Sequence, residues 1–283
     1  MKADFRHKPD WLKITLPRGF KAEQVVGLLN EKHIHTICSS GMCPNRGECW
    51  SRGTATFMIG GNICTRNCKF CNVTSGRPLP LDPAEIDHIV KSVKDLHLKH
   101  AVITSVDRDD LPDLGALHWA TLIRRLRQEC PETTMEVLIP DMQGRKDLLD
   151  MIIAERPHVI SHNLETVRRL TPAVRSVATY DTSLEALRYI AASGIRTKSG
   201  IMLGLGETRE EILETMDDLL AAGVEVMTIG QYLQPTRHNF PVQEYIEPEI
   251  FDEYAAIGRD KGFRHIESAP MVRSSYHAEK HVL

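Results

Sequence analysis

The chain has 283 residues, of which 42% are hydrophobic, and this is enough apolar material for one large core. The formal net charge is -3 and the isoelectric point is about 6.5, so no global charge favours nucleic acid or an anionic membrane as a partner. No apolar run approaches the roughly 20 residues of a membrane span, and the start, MKADFRHKPDWLKITLP, lacks the apolar segment of a secretory signal; both indicate a reducing cytoplasm.

The first region, residues 1–53, contains Cys, Gly and Pro and one short helical pattern over residues 21–32. Six of the seven cysteines lie between Cys38 and Cys71. Without a secretory signal, such a cluster predicts metal binding rather than disulfides. The seventh, Cys130, follows a helical stretch, and we predict that it is a small semi-buried residue without a further role.

The middle region, residues 54–265, alternates short apolar runs, often β-branched, with amphipathic helical patterns such as residues 82–98. The predicted strands are residues 54–60, 100–106, 135–140, 158–163, 196–204 and 224–233. Strand–helix units in series imply a parallel sheet, and six are fewer than the eight that close a TIM barrel.

We therefore predict an α/β fold with a partial (β/α)6 TIM-like barrel over residues 54–265, and an open doubly wound sheet is the alternative. An N-terminal cluster-binding extension, residues 1–53, precedes the barrel, and a polar C-terminal tail, residues 266–283, follows it. In either architecture the functional site belongs at the carboxyl ends of the strands.

The stretch CTRNCKFC holds Cys64, Cys68 and Cys71, with three and then two residues between them. A structural zinc site is usually four-coordinate, and its cysteines usually come as CxxC pairs. A cubane iron–sulfur cluster ordinarily takes one thiolate for each of its four irons, so three cysteines leave one iron open to a substrate. A zinc site completed by His33 or His35 is the alternative.

A second triplet precedes the first: CSSGMCPNRGEC holds Cys38, Cys43 and Cys49, with four and five residues between them. Pro44 and Gly47 indicate a loop that could wrap round one metal centre. This spacing is unusual for zinc and again leaves one ligand position short.

The CxxxCxxC spacing, with the aromatic Phe70 before its last cysteine, resembles that of the radical S-adenosylmethionine (SAM) enzymes. In those enzymes the open iron binds the amino and carboxylate groups of SAM, and an electron from the cluster yields a 5′-deoxyadenosyl radical. The two triplets together resemble the lipoyl synthase family, in which CxxxxCxxxxxC holds an auxiliary [4Fe–4S] cluster. The likeness covers nearly the whole chain: KPDWLK, CPNRGECW, GTATFMI, TSVDRDDLPD, EVLIPD, HNLETV, TKSGIMLGLGE, GQYLQPT and RSSYHA.

This resemblance implies two [4Fe–4S] clusters and SAM as cofactors. In the family, the serine of the RSSY motif is the fourth ligand of the auxiliary cluster; Ser274 and Ser275 both fit, and we predict Ser275. An alkoxide is harder than a thiolate and a poorer match for this iron, so it can dissociate when the cluster is consumed. The implied catalytic set is Cys64, Cys68, Cys71 and Ser275, and the implied ligands of the auxiliary cluster are Cys38, Cys43, Cys49 and Ser275.

Other positions resemble SAM contacts of radical SAM enzymes. GIMLGLGE fits a GxIxGxxE-like pattern whose glycines let the backbone approach the adenine, and Glu207 is expected near the start of the next helix. Asn163 and Glu165 match ribose and amino contacts, although the residues alone favour a helix N-cap. Lys198 is either a contact of the SAM carboxylate or a strand-end charge. The predicted cofactor-binding set is Phe70, Asn163, Glu165, Lys198, Gly204 and Glu207.

The charged loop at residues 107–110 follows the second predicted strand, and it is either a solvated loop or part of the SAM or substrate site. Arg175 is likewise either a contact of SAM or substrate or a surface arginine. The chain departs from the family at DLGA, residues 113–116, where DGGA is usual, and at DPAEI, residues 82–86, where DxxEP is usual. We expect the loop conformation at residues 113–116 to differ.

The resemblance implies insertion of two sulfur atoms, at C6 and C8, into an octanoyl chain that is amide-linked to a lysine of a lipoyl carrier protein. The auxiliary cluster supplies the sulfur, and a radical cofactor is needed because such C–H bonds are inert to acid–base chemistry. Implied partners are the octanoylated lipoyl carrier domain, an electron donor such as flavodoxin or ferredoxin, and an iron–sulfur carrier. We expect a cytoplasmic monomer that binds neither nucleic acid nor membrane.

Two alternative functions stay open. The first is another radical SAM sulfur-inserting enzyme, either a methylthiotransferase or a biotin-synthase-like protein, against which the RSSY tail and the first triplet argue. The second is a non-catalytic zinc-binding interaction module. Zinc without acid-labile sulfide in anaerobically purified protein would favour the module.

Overall fold

The alternation of apolar strands and amphipathic helices sets the architecture. The computed structural model describes residues 8–14, 16, 19–32 and 34–282. Within them the strands are β1 (His35–Thr36), β2 (Thr56–Ile59), β3 (Ile63–Cys64), β4 (Thr74–Ser75), β5 (His100–Ser105), β6 (Thr134–Leu138), β7 (Val159–Ser161), β8 (Arg196–Leu203), β9 (Val226–Gln231) and β10 (His265–Ser268). The helices are α1 (Phe20–Glu31), α2 (Ile37–Ser40), α3 (Arg46–Ser51), α4 (Glu85–Asp95), α5 (Ala116–Glu129), α6 (Lys146–Ile153), α7 (Thr171–Val174), α8 (Tyr180–Ala192), α9 (Arg209–Ala221) and α10 (Pro248–Lys261), with 3-10 helices at Met142–Gly144 and Ala278–Val282.

One large sheet carries most of these strands. In the described residues it has eight strands in the order β1-β2-β5-β6-β7-β8-β9-β10. β1 pairs antiparallel with β2, and all other neighbours pair in parallel. All six strands predicted between residues 54 and 233 are present, each within two residues of its predicted bounds. The α/β fold with a partial TIM-like barrel is therefore confirmed.

The seventh parallel strand, β10, was not predicted. It pairs with β9 in the register His265↔Val226 to Ser268↔Ile229. His265 and Glu267 interrupt its apolar pattern, so the run resembles a polar connection. The strand crosses the predicted boundary between the barrel and the tail.

The outer helices bury their apolar faces against the sheet in two clusters. One contains Phe57, Ile103 and Trp119, from β2, β5 and α5. The other contains Ile229 and Phe251, from β9 and α10. Among the described residues, no helix has both the length and the apolar composition that crossing a bilayer requires.

The tail that follows β10 crosses the sheet at a glycine. A Cβ on Gly230 of β9 would lie 2.0 Å from the carbonyl oxygen of Val272, so the tail can pass here only against glycine. The backbone N–H of Gln231 donates to the carbonyl of Pro270 at 3.1 Å. The tail is thus fixed against the end of β9 before it reaches the RSSY motif.

Two neighbouring residues of the tail demonstrate the curvature of the sheet. The Lys198 ammonium of β8 donates to the carbonyl of Ser274, and the Thr56 hydroxyl of β2 donates to the hydroxyl of Ser275 at 2.7 Å. β2 and β8 are four strand spacings apart in the sheet order, which in a flat sheet would be about 19 Å. Consecutive Cα atoms are only about 3.8 Å apart, so the sheet must curve round the tail as a barrel wall does.

Candidate metal centres

The loop that carries Cys64, Cys68 and Cys71 leaves the carboxyl end of β2 through a pair of glycines. Gly60 and Gly61 have φ of 80° and 90°, and their N–H groups donate to the Glu85 carboxylate at 2.9 and 3.1 Å. A parallel pairing of β3 with β4 closes the loop, in the register Cys64↔Ser75. The loop is therefore held at both ends by the barrel rim.

Arg66, inside this loop, anchors the loop to the segments after two neighbouring strands. It is 4% exposed, and its guanidinium donates two hydrogen bonds to Asp109, at 2.8 and 2.9 Å. The same guanidinium donates to Asp141 at 2.9 Å and lies 3.2 Å from Asp107. These carboxylates follow β5 and β6, so one buried arginine ties the cysteine loop to the carboxyl ends of two strands.

The charged loop at residues 107–110 is consequently not a solvated loop. Asp107 and Asp109 face Arg66, while Arg108 is 4% exposed and donates to Asp110 and to the carbonyl of Gly60. The interpretation as a solvated loop is wrong, because each charged side chain has a partner of opposite sign nearby. A direct contact with SAM or substrate stays a prediction.

The segment DLGA, residues 113–116, which differs from the family's usual DGGA, has a defined backbone conformation. Leu114, which stands where the family usually has the first glycine of DGGA, has φ of 52° and is followed by Gly115 with φ of 84°. The Asp113 carboxylate accepts from the N–H of Gly115 at 3.2 Å and of Leu117 at 3.0 Å. The chain therefore holds a left-handed residue here without glycine at the first position.

The thiols of the loop lie among hydrogen-bond donors and negative charges. The N–H groups of Arg66 and Asp107 donate to the Cys64 sulfur at 3.4 and 3.3 Å, and that of Val73 donates to Cys71 at 3.4 Å. Burial, with the Asp107 carboxylate, raises the pKa of Cys64 to about 12. Burial, with charges on Cys68 and Glu165, raises the pKa of Cys71 to about 11. Such thiols become thiolates readily only beside a cationic group.

The first triplet lies on two short helices and the loop between them. Cys38 belongs to α2 and Cys49 to α3, and the N–H of Cys43 donates to the carbonyl of Cys38 at 3.1 Å. Burial raises the pKa of all three thiols, that of Cys49 to about 12, and charge repulsion from the two other thiols contributes at Cys49. Negative charge on Cys38 and Cys43 thus acts on Cys49, which places the three thiols in one neighbourhood.

The C-terminal tail packs directly on this triplet. The side-chain amide of Asn45, between Cys43 and Cys49, donates to the carbonyl of Met271 at 2.6 Å. The Tyr276 hydroxyl donates to the Glu48 carboxylate at 3.2 Å. The tail is thereby fixed on either side of Ser274 and Ser275.

The two serines face different neighbours. Thr56 donates to the Ser275 hydroxyl, and Thr56 also lowers the pKa of Cys38 against the larger effect of burial, so it lies near that thiol. Ser274 instead accepts a hydrogen bond from the side-chain amide of Asn163. Ser275 is therefore the serine beside the first triplet.

The two cysteine loops also contact each other. The Asn72 amide, next to Cys71, donates to the carbonyl of Ser40 in α2 at 2.9 Å. The Asn239 amide donates to the carbonyl of Cys71, also at 2.9 Å. Phe70 packs against the core cluster that contains Phe251.

Each triplet fits a cluster better than a single ion. Zn–S bonds of about 2.3 Å place the thiolates of one tetrahedral zinc about 3.8 Å apart. In the described part of the chain, neither triplet, alone or with His35, brings three ligand atoms within 4.8 Å of one another; His33 lies outside the described residues. A four-iron cluster is wider than a single ion and ordinarily takes one protein ligand per iron. Three thiols that are not all within 4.8 Å of one another therefore fit a cluster better.

Asn163 and Glu165 do not begin a helix. The next helix, α7, begins at Thr171, and Glu165 instead forms a parallel bridge with Ile201 of β8 at φ of 70°. The N-cap alternative is therefore wrong, because the chain after β7 continues along the sheet. Arg175 is not a free surface arginine, since it donates to the carbonyl of Asn163 at 3.1 Å.

Gly204 and Glu207 form one tight turn at the end of β8. The N–H groups of Gly204 and Leu205 donate to the Glu207 carboxylate at 2.5 and 2.9 Å. Gly204 has φ of 94°, and a Cβ there would lie 2.4 Å from the carbonyl oxygen of Glu244. The following helix begins at Arg209, with Thr208 as its N-cap and a capping box.

Lys198 is fully buried in the interior of β8, so the strand-end alternative is wrong. Its ammonium donates to the Glu136 carboxylate at 2.6 Å, to the carbonyl of Ser274, and to His281 Nδ1 at 3.0 Å. These partners belong to β6 and the tail rather than to the cysteine loop. Its contact with SAM stays a prediction.

Sequence reasoning did not single out several residues that shape the centres: Thr56, Arg66, Asn72, Asp141 and Asn239. Arg66 and Asp141 lie within quoted motifs, but nothing in the sequence pairs them. A charged residue inside a predicted apolar strand, as in MEVLIP and RTKSGIMLG, was the available signal for the pair Glu136–Lys198.

Comparison with known proteins gives one consistent result. Residues 58–219 match the Radical SAM superfamily model. Lipoyl synthase of Treponema denticola is 63% identical over 98% of this chain and 96% of its own length, and that of Porphyromonas gingivalis strain W83 is 64% identical over 97% and 98%.

Solved structures share the fold at low identity. Streptococcus suis SuiB bound to S-adenosylmethionine superposes with a TM-score of 0.61 at 14% identity, over 88% of this chain and 60% of SuiB. HydG, a maturase of the [FeFe]-hydrogenase, gives 0.58 at 13% identity, over 80% of this chain and 61% of HydG. The chain thus spans about 60% of either protein. By its match to the superfamily model and its identity with these relatives over nearly its whole length, the chain belongs to the lipoyl synthase family of radical SAM enzymes.

Proposed function

We propose that the chain catalyses the SAM-dependent insertion of two sulfur atoms, at C6 and C8, into an octanoyl chain on a lysine of a lipoyl carrier protein. The observation that carries this proposal is the packing of the RSSY tail on the first cysteine triplet, through Asn45, Glu48 and Thr56. Neither a methylthiotransferase nor a zinc-binding module would need this arrangement.

The proposed ligand sets are those expected from the sequence. Cys64, Cys68 and Cys71 hold the SAM cluster, and Cys38, Cys43, Cys49 and Ser275 hold the auxiliary cluster. When bound, the two clusters and SAM supply hydrogen abstraction at unactivated carbons and the sulfur that replaces the hydrogens.

The chain's own residues prepare the SAM-cluster loop. Arg66 fixes its position through three carboxylates, so the loop is organised before any group binds. The N–H groups that point at Cys64 and Cys71 stabilise the thiolate forms. Asp107 accepts the hydrogen bond of the Cys64 thiol at 3.5 Å and can receive its proton on ligation.

The proposed SAM-binding residues lie on the barrel rim. Phe70 is in the cysteine loop, Asn163 and Glu165 follow β7, and Gly204 and Glu207 follow β8. The interaction of Glu165 with Cys71 supports its place beside SAM. Lys198 belongs to this set on the family resemblance alone, since Glu136, Ser274 and His281 surround its ammonium.

The proposed partners follow from the chemistry. The substrate is the octanoylated lysine of a lipoyl carrier domain, as the name of the relatives supports. Reduction of the SAM cluster needs an electron donor such as flavodoxin or ferredoxin, and consumption of the auxiliary cluster needs an iron–sulfur carrier. We further propose that the protein acts as a monomer in the cytoplasm.

The proposal is tested by anaerobic incubation of reconstituted protein with SAM, dithionite and an octanoylated carrier peptide, followed by mass spectrometry. We expect a peptide that has gained two sulfur atoms, with two 5′-deoxyadenosines per product. The matched control is the protein with Cys38, Cys43 and Cys49 changed to Ala. A methylthiolated product, or zinc without acid-labile sulfide, would contradict the proposal.

A further inference from the structure

A group of metal-ligand side chains lies at the amino-terminal end of the barrel, opposite the cysteine loop. His265 and Glu267 are on β10, and His281 is in the 3-10 helix Ala278–Val282. Among the described residues, this is the one group of three or more His, Cys, Asp or Glu with ligand atoms within 4.8 Å of one another. Residues two apart on a strand face the same side, so β10 presents His265 and Glu267 together.

His281 offers an unpartnered nitrogen in a buried position. Its side chain is fully buried, and its Nδ1 lies 3.0 Å from the Lys198 ammonium and 3.7 Å from Glu136 Oε2. Its Nε2 has no hydrogen-bond partner, and neither has Glu136 Oε2. One unpaired nitrogen of this imidazole and one unpaired oxygen beside it need an explanation, because buried polar atoms are nearly always paired.

A metal ion on Nε2 would account for both atoms. Histidine that binds a metal through one nitrogen usually donates the N–H of the other to a carboxylate. Glu136 Oε2 lies 3.7 Å from Nδ1, so a small shift of the His281 ring would let it accept such a bond. Lys198 would then keep its two other acceptors, Glu136 Oε1 and the Ser274 carbonyl.

The spacing of the donors suits a small tetrahedral ion. Bonds of about 2.0–2.2 Å to nitrogen and oxygen place two ligand atoms of zinc about 3.4 Å apart. His265 Nε2 lies 3.3 Å from Glu267 Oε2, and the rings of His265 and His281 have centroids 5.0 Å apart. A small movement of the His281 ring would complete the set.

The charges at the site are compatible with a dication. Lys198 and Glu136 neutralise each other at 2.6 Å, and Arg264 lies 3.4 Å from Glu225. The remaining charges are the Glu267 carboxylate and the ammonium of Lys280, which borders the cleft beside His265, so the site without an ion carries no net positive charge. Two imidazoles and one carboxylate are a donor set that zinc prefers, with a fourth position open to water.

We propose that His265, Glu267 and His281 bind one Zn²⁺, which cross-links the end of the tail to β10. Glu136 would accept the Nδ1 proton of His281 and also accepts from Lys198, which in turn donates to the carbonyl of Ser274, so the ion would also stabilise the RSSY segment through these residues. The site contains no cysteine and lies at the other end of the strands from the cysteine loop. Its test is therefore independent of the proposed sulfur insertion.

The experiment uses holoprotein with both cysteine triplets loaded, so that their six thiols do not compete for zinc. The protein is equilibrated anaerobically with zinc chloride and desalted, and its zinc is measured by mass spectrometry and by X-ray absorption at the zinc edge. We expect one zinc per chain with only nitrogen and oxygen neighbours. His265→Ala and Glu267→Gln should each weaken zinc binding by at least about 10-fold. Loss of a mere hydrogen-bond partner of a metal ligand already costs about 10-fold to 100-fold in affinity.

The matched control is His97→Gln, at an exposed histidine between α4 and β5, and it should keep the zinc. His281→Ala is not the main test because this buried side chain could be needed for folding. Sulfur neighbours, no retained zinc in wild type, or equal zinc in all variants would overturn the site. Slower hydrogen exchange of residues 278–282 with zinc, lost in His265→Ala, is expected from the cross-link; unchanged exchange in zinc-loaded wild type would refute the stabilisation.

Discussion

The Thr56 hydroxyl donates a hydrogen bond of 2.7 Å to the Ser275 hydroxyl, joining residues 219 positions apart in sequence. Thr56 also lies near Cys38, whose pKa it lowers against the larger effect of burial, so β2 connects the tail to the first triplet. Ser274, one residue earlier, is turned towards Asn163. This division of roles between adjacent serines leads to the first prediction.

Ser275→Ala should keep the SAM cluster and the cleavage of SAM but impair formation of the lipoyl product, because the auxiliary cluster loses its fourth ligand. Ser274→Ala is the matched control: it loses the contact with Asn163 but keeps its backbone carbonyl on Lys198. Iron content, 5′-deoxyadenosine and product are measured for both variants. Damage confined to Ser274→Ala would mean that the wrong serine was chosen.

The two triplets should be separable by function. Wild-type protein should hold about eight irons per chain, and each triple Cys→Ala variant about four. The variant without Cys38, Cys43 and Cys49 should still make 5′-deoxyadenosine from SAM under reduction but give no thiolated product, since its SAM-cluster loop keeps the Arg66 anchor. Lipoyl product from this variant, or no 5′-deoxyadenosine with about four irons bound, would contradict the assignment.

Cys130→Ala should leave both iron content and turnover unchanged. Cys130 is the C-cap of α5, buried at 7% exposure, and its N–H donates to the carbonyl of Leu126 at 2.8 Å. The change removes one small buried group, for which a loss of roughly 1 kcal/mol in the free energy of unfolding is expected. Loss of half the iron would reveal a misassigned ligand.

Arg66→Met should remove the SAM cluster selectively and lower the free energy of unfolding by about 3–5 kcal/mol, since it leaves buried carboxylates uncompensated. Arg145→Met is the control: Arg145 pairs with Asp147 at 2.6 Å on the exposed surface, and losing that pair should cost about 0–1 kcal/mol. Iron analysis and urea unfolding under anaerobic conditions measure both effects. Equal losses in the two variants would show that Arg66 is not an anchor.

Gly204→Ala should destabilise the protein more than Gly206→Ala. Both glycines have positive φ, but a Cβ on Gly204 would meet Glu244 and Gln231 within 2.4 Å, while on Gly206 the nearest atom, of Gln243, is 3.4 Å away. Overpacking typically adds about 1–3 kcal/mol. The free energy of unfolding and the dissociation constant of SAM are measured, and equal effects on stability would argue against the crowded turn.

The sequence supports prediction where local pattern decides the outcome. Apolar β-branched runs located all six strands between residues 54 and 233, because buried parallel strands need such runs. β10 was missed because His265 and Glu267 break its pattern. HNLET resembles a helix start locally, but pairing of Glu165 with Ile201 overrides that preference.

Long-range polar pairing was beyond sequence reasoning. Arg66 could be seen as part of a cysteine motif, yet its partners come from the segments after β5 and β6 and are brought to it only by the folded sheet. The choice of Ser275 rested on the family resemblance, and the Thr56 contact now gives it a physical basis. The ligand role of Ser275 itself stays a prediction.

The crossing of the tail over Gly230 has a consequence for the order in which the protein matures. Synthesis at about 5–20 residues per second separates Thr56 from Ser275 by roughly 10–45 s. During that interval the first triplet exists without the serine that we propose as its fourth partner, and the tail can be laid across β9 only after β9 has formed. A complete auxiliary ligand set therefore requires the folded tail, and assembly of that cluster must wait until Ser275 has been synthesised. The CxxxCxxC loop, in contrast, has all its cysteines within the first quarter or so of the chain.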